Sequence, residues 1–251
     1  MLSVPLDHID DLVAKFPGYL TGGRQDYRRF YIDMAGGYDA YLARFSGKTR
    51  STLRRKQRKL TDACGGECRM TEYRTPAEVE RFLELTLPLS ARTYQARLLD
   101  AGLPETSHAR TDLLQLAEED RLRCFLLSNG NTPIAYLALP IRGGTLVYAW
   151  LGYDPDWARL SPGTVLQMDA LERLFSEERH RWFDFTEGEG AHKEMFATDH
   201  VACASFVLLR GNLPNRLLLG ARAGFDAAVS GAKAIAGRGG ALAGARKLLK
   251  A

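Results

Sequence analysis

Within ten residues, from Asp184 to Lys193, the chain sets Asp184, Glu187, Glu189, His192 and Lys193. Carboxylates and imidazoles accept and give protons, and a histidine does so near neutral pH without help from its surroundings. Asp184 lies between Phe183 and Phe185, so in an extended segment it points away from both rings, toward a cleft at the strand end. The plainer reading of this stretch is a solvated, carboxylate-rich connection between a strand and a helix. Lys193 also has two readings, an ion pair with Asp184 or a contact to the anionic part of a substrate. Upstream, Asp154-Pro155-Asp156-Trp157-Ala158-Arg159-Leu160-Ser161-Pro162-Gly163-Thr164 runs straight into an apolar helical pattern. A helix that opens on Ser-Pro-Gly offers free backbone N–H groups and the positive end of its dipole to a phosphate. It is equally an ordinary cap followed by proline at the first helical position.

The elements that must hold these residues follow from periodicity. Ser107 to Glu119 reads as an amphipathic helix with Leu113, Leu114 and Leu116. Three β-rich runs come next, 122–127, 133–141 and 145–151, split by Asn129-Gly130-Asn131 and Gly143-Gly144, which favour tight hairpin turns. A helix from the Ser-Pro-Gly turn to about Ser176, a short buried strand 182–185 and a β run 201–209 follow. Earlier in the chain, 48–63 reads as a helix entered at Ser46-Gly47 and stopped by Gly65-Gly66. Arg50, Arg54 and Arg58 form one stripe on it, and Leu53 and Leu60 share another face. Cys68 to Tyr73 suggests a strand, and Pro76 opens a helix with Val79, Phe82, Leu83 and Leu85 inward, continuing with a break toward Leu99. This order predicts a mixed α/β (α+β) fold: a largely antiparallel central sheet flanked by helices, with a helical N-terminal part and a C-terminal helix. Three segments are expected: 1–106 with the basic helix 48–63, 107–210 with the sheet, and a basic tail 211–251.

With 251 residues, 45% hydrophobic and 25% charged, the chain has ordinary globular composition and ample core for one or two domains. It has no apolar run long enough to span a membrane, and its N-terminus lacks the pattern of a secretory signal, so a cytoplasmic location is expected. The net charge is only +4, yet residues 40–61 carry eight basic side chains and no acid. Residues 211–251 carry seven basic side chains against Asp226 alone. Two basic segments on an otherwise acidic chain point to an anionic partner. The tail can touch an anionic membrane surface, at the inner face of the membrane, or pack on the protein. The basic helix lacks interleaved aromatics for base stacking, which argues against nucleic acid. Cys64 and Cys68 lack zinc-knuckle spacing, while Cys124 and Cys203 sit in apolar runs, so four free thiols and no metal site are expected.

Three segments carry a resemblance: Lys48-Thr49-Arg50-Ser51-Thr52-Leu53-Arg54-Arg55-Lys56 with Arg58-Lys59-Leu60; Gly152-Tyr153-Asp154-Pro155 followed by Leu160-Ser161-Pro162-Gly163; and Phe183-Asp184-Phe185-Thr186-Glu187-Gly188-Glu189 followed by His192-Lys193. In this order they resemble the GNAT superfamily of N-acetyltransferases. The likeness is to the subfamily of cellulose and exopolysaccharide biosynthesis acetyltransferases, related to the Fem aminoacyltransferases. It covers roughly 40–210. His192-Lys193 stands where that subfamily often has Tyr-Lys, and the N-terminal half is short; both departures bear on the acceptor.

The resemblance implies transfer of an acyl group, most simply acetyl, from acetyl-CoA or another acyl-CoA to an amine, with no metal. The acceptor it implies is a small molecule or saccharide, such as an amino sugar or an envelope or exopolysaccharide precursor. Leu151, Tyr153, Arg159, Leu160, Ser161, Pro162, Gly163 and Thr164 are then the residues expected to hold the acyl-CoA. Asp184, Glu187, His192 and Tyr153 are the catalytic candidates: a base for the amine, and Tyr153 as proton donor to the departing thiolate. Arg50, Arg54, Glu189 and Lys193 are the candidates for binding the acceptor. Two rival readings stay open, a Fem-like transferase that draws on aminoacyl-tRNA and a catalytically degenerate fold that senses a nucleotide or serves as a scaffold.

Overall fold

The structure, a computed structural model, describes residues 2–93 and 102–238. It divides into two compact units, residues 29–200 and residues 1–28 with 201–251. The predicted continuation toward Leu99 lies outside the described residues, as does the tail beyond Arg238. In the smaller unit β1 (Leu2–Pro5) precedes α1 (Ile9–Ala14) and the first part of β2 (Tyr19–Asp33). The two strands add sheet to a segment expected to be helical. β2 escapes prediction because its apolar alternation is confined to its end, where Phe30 and Ile32 are buried.

The larger unit takes up the end of β2 and continues with α2 (Gly37–Ala43), α3 (Gly47–Ala63), β3 (Cys68–Tyr73), α4 (Pro76–Arg92) and α5 (Ser107–Glu118). Local chemistry sets these boundaries. Ser46 Oγ accepts the Thr49 N–H at the head of α3, and Thr75 with Glu78 forms a capping box ahead of Pro76 in α4. Four strands follow, β4 (Leu122–Asn129), β5 (Thr132–Arg142), β6 (Thr145–Val147) and β7 (Trp150–Tyr153). A 3-10 turn (Pro155–Leu160), α6 (Pro162–Ser176), β8 (Trp182–Asp184) and α7 (Ala191–Phe196) complete the unit. The predicted hairpin turns are present, Gly143 and Gly144 both at positive φ (55° and 77°), where glycine carries no steric cost.

The sheet of this unit runs β2-β8-β6-β5-β4-β3, antiparallel except that β6 and β8 are parallel. Both faces are covered, which explains why β4 and β5 read as unbroken apolar runs. Phe125, Leu127, Ala135, Leu137 and Leu139 join the core with α3 and α6. Their alternates Cys124, Leu126, Tyr136 and Ala138 join the core with α4 and α5. At one end of β4, Arg123 is wholly buried. Its guanidinium lies 2.9 Å from Glu177 Oε2 and 2.8 Å from Asp120 Oδ1. One expectation fails here: Cys64 and Cys68 form a disulfide, because the Gly65-Gly66 turn folds the chain back and sets their Cα atoms 5.5 Å apart. Cys124 and Cys203 are free and buried as expected.

In the smaller unit β9 (Asp199–Arg210) pairs antiparallel with β1 in the register Leu2 to Phe206 and Pro5 to Cys203. The helix α8 (Leu213–Arg238) follows.

Candidate functional site

The site grows from a break in one strand. Sequence alone reads 145–151 as one run, but the structure splits it. β6 pairs with β8, and the last bond joining those chains is Tyr148 N–H to Asp184 O at 2.9 Å. Beyond that point the chains part. Among the described residues β7 bonds only to β5, with Tyr153 opposite Ala135, while the Phe185 N–H turns to Phe30 O in β2. Among the described residues no backbone bond bridges β7 and 185–190, so β7 presents an open edge to a fork in the sheet. Tyr148 stands at the fork, its ring against Phe185 with 5.3 Å between centroids. Burial pushes its phenol well above the usual range.

The turn from β7 to α6 is held by a residue the sequence analysis missed. Arg92, at the end of α4, reaches Asp154 Oδ1 at 3.1 Å and Asp156 Oδ2 at 3.0 Å. Asp154 is 6% exposed and also accepts the Asp156 N–H, which starts the 3-10 turn. Nothing local announces this clamp, since the partners lie more than sixty residues apart.

Ser161 then adopts the left-handed conformation (φ 56°, ψ 47°) and α6 begins. The turn satisfies more of its own amides than the sequence implied. The Ser161 N–H goes to Ala158 O, those of Thr164 and Val165 go to Ser161 O, and Pro162 has none. Among the described bonds Gly163 N–H has no acceptor, which leaves it at the dipole end of a 15-residue helix. Gly163 eases the close seating of α6: a Cβ there would lie 3.0 Å from Leu151 Cδ2 and 3.3 Å from Tyr153 Cδ1, and those side chains would have to give way. Leu151, Tyr153 and Leu160 thus pack at the base of the turn, partly buried, and Arg159 is exposed beside it.

On the other branch of the fork the structure separates the clustered candidates. Asp184, 8% exposed, is engaged by the Arg29 guanidinium, with Nε 3.0 Å from Oδ1, and it accepts the Thr186 N–H at 2.9 Å. Its ion-pair partner is therefore Arg29, not Lys193, whose Nζ donates to Glu187 O at 2.5 Å. Burial, the largest influence, lowers the Lys193 pKa; Asp184 opposes that and Arg29 adds to it. His192 faces inward, one ring nitrogen 2.6 Å from Gln167 Oε1 in α6. Burial first, then Lys56 and Lys193, pull it down to about 4, so it is neutral at pH 7. Gln167 is fully buried, and its Nε2 has no hydrogen-bond partner among the described residues. Glu187 and Glu189 are exposed on the loop after β8, where Thr186 and Gly188 take positive φ.

The arginine stripe belongs to the same neighbourhood. α3 touches both the 3-10 turn and α6, and Gln57 Nε2 donates to Asp169 Oδ1 at 2.7 Å. Gly47, Arg50, Ser51, Arg54, Gln57 and Arg58 line a depression of about 740 Å³. Among the described residues no group of three or more His, Cys, Asp and Glu side chains is placed to hold a metal ion.

A forked, mostly antiparallel sheet with a helix opening at the fork defines the class: a GNAT-like α/β fold. The family model described as an acetyltransferase (GNAT) domain matches residues 47–194, and the chain belongs to that family. The fold recurs in solved structures. One is the C-terminal domain of a putative lysylphosphatidylglycerol synthetase from Agrobacterium fabrum, at 11% identity and TM-score 0.55, covering 86% of this chain and 68% of that one. A protein of unknown function from Bacteroides thetaiotaomicron aligns at 16% identity and TM-score 0.53, over 82% of this chain and 68% of that one. FemX aligns at 12% identity and TM-score 0.53, over 86% and 72%. No curated protein sequence matches the chain.

Proposed function

We propose that the protein is an acyl-CoA-dependent N-acyltransferase, acetyl being the simplest group, acting in the cytoplasm on an amine such as an amino sugar or an envelope or exopolysaccharide precursor. The observation that carries this reading is the fork: an unpaired β7 edge lies beside a helix N-terminus whose Gly163 amide is unengaged. The donor set suits a pyrophosphate-bearing thioester, with Gly163 N–H and the exposed Arg159 for phosphate and β7 backbone for the carbonyl. Bound there, an acyl-CoA supplies the activated carbonyl. The chain itself must then orient the amine and remove its proton. Asp184 is committed to Arg29 and Thr186, and a neutral imidazole near pKa 4 is a weak base at pH 7, which makes both positioning residues for the branch. Glu187, exposed on the loop after β8, is the carboxylate proposed to take the amine's proton, directly or through water, with Glu189 and Lys193 bordering the acceptor. Tyr153 is the hydroxyl beside the departing thiolate.

Calorimetric titration with acetyl-CoA tests the reading, followed by thiol release against a panel of amines. Saturable binding that Gly163→Val weakens about tenfold or more is expected, because the added side chain must displace Leu151. Absence of binding at millimolar ligand removes the proposal; binding without thiol release from any amine favours a nucleotide-sensing or scaffold role. A second reading, aminoacyl transfer from tRNA, draws on the depression lined by Arg50, Arg54 and Arg58 and on the fold shared with FemX. It requires tRNA binding that weakens steeply with salt, and salt-independent behaviour discards it.

A further inference from the structure

Among the described residues, every strongly exposed large apolar side chain except Met195 belongs to the smaller unit. Four of them stand on α8: Leu213 (69% exposed), Leu217 (66%), Leu218 (59%) and Phe225 (68%). The contacts of this helix fix which way it faces. Leu219 and Arg222 lie over β2, so close that a Cβ on Gly22 would fall 2.1 Å from Leu219 Cδ2 and one on Gly23 3.1 Å from the Arg222 guanidinium carbon. The leucines therefore cannot turn inward without lifting the helix. Beside its first turn, the Gly211 N–H donates to Gly18 O at 2.7 Å, which brings up the turn carrying Phe16 and Tyr19. Those rings pack edge to face at 5.8 Å, and each stays 40% exposed. The unit also holds the charge: residues 1–28 and 201–251 carry eleven basic and five acidic side chains, net +6, in a chain whose total is +4.

We propose that this face is an interfacial membrane-binding surface that seats on an anionic bilayer, with Leu213, Leu217, Leu218 and Phe225 entering the acyl boundary and Phe16 and Tyr19 at headgroup level. Apolar side chains exposed along a helix of a net basic unit are what a helix lying in the headgroup plane requires. Aromatic rings collect at that depth, and anionic headgroups attract a unit of net positive charge. A second copy of the chain would cover the leucines, but it would set two like-charged units face to face. A nucleic acid would answer the charge and leave the leucines in water. No helix among the described residues is long and apolar enough to cross a membrane, so the contact is peripheral. The inference stands apart from the acyl-transfer reading, since it uses no residue of the fork.

Cosedimentation of the full chain with vesicles of phosphatidylglycerol and phosphatidylcholine, against vesicles of phosphatidylcholine alone, decides it. Binding to the anionic vesicles only, weakened by salt, is expected. Leu217→Asp with Leu218→Asp should loosen that binding about tenfold or more while leaving the melting temperature unchanged, and Phe225→Ser should do so to a lesser degree. Absence of binding to anionic vesicles at low salt overturns the proposal, as does equal binding by the substituted protein. A dimer that the same substitutions dissociate, without vesicle binding, assigns the face to a second copy instead.

Discussion

Two carboxylates in the larger unit are each gripped by an arginine, and their surroundings give them different work. Glu177 meets Arg123 where both side chains are at most 5% exposed, with Asp120, Arg74 and His180 closing around them. That pair is almost closed to water. Asp184 meets Arg29 at the fork, where the arginine is 34% exposed. The same ion-pair chemistry is architecture in the first place and the border of a site in the second. Burial decides which, because a charge sealed from water has no partner but the one the fold supplies.

The comparison can be broken by removing one arginine at a time. Arg123→Leu leaves Glu177 buried without its nearest cation, only Arg74 and His180 remaining at 3.5 Å, and denaturant unfolding should record a loss of about 3 kcal/mol. Adding Glu177→Leu should restore much of it, and donor affinity of the folded protein should not change; a donor affinity that falls with Arg123→Leu would erase the distinction. Acid unfolding probes the same pair. Burial, the largest influence on Glu177, raises its carboxyl, but His180 and Arg123 outweigh it and hold the group at about 2, below its ordinary 4.5. A depressed carboxylate contributes fully above its ordinary value and loses that contribution as the proton returns. Stability should therefore decline as pH falls from about 4.5 toward 2, and Glu177→Gln should flatten that limb.

Arg29→Gln is the counterpart at the fork. The expected cost is about 1–3 kcal/mol, because water reaches this pair. Here turnover in the thiol-release assay should fall more than donor binding, because in the proposed reading the residue anchors the branch that borders the acceptor. Equal losses in both would move Arg29 to the donor side. Arg92→Ala should be the mildest for the fold, within about 1 kcal/mol, since that arginine is 55% exposed. Its effect should fall on donor binding, read by calorimetry, because it frees Asp154 and the turn into α6.

The two carboxylates were not equally legible. Asp184 stood out because a charged residue between two phenylalanines in an extended run must face the other way. Glu177 did not, as an acid at the end of a helix is usually solvated. The arginines of both pairs were invisible, Arg29 lying 155 residues from its partner and Arg123 reading as one more residue of a strand. His192 was recognised as a proton-transfer residue by its ordinary pKa. Burial against other elements, where Gln167 of α6 meets its ring, makes it neutral, and Lys56 and Lys193 add to that.

By itself the sequence determined what depends on near neighbours: the capped helices, the glycine hairpins, the apolar strands covered on both faces, the proline start of α6 and the basic stripe of α3. Each of these is an interaction across a few residues, and chain order carries it. Tertiary structure alone decided the fork after Tyr148, the pairing of Asp184 with Arg29, the Arg92 clamp and the outward leucines of α8. The fork exists because β6 and β7 bond to different neighbours, and which strand lies alongside another is settled by packing of distant segments.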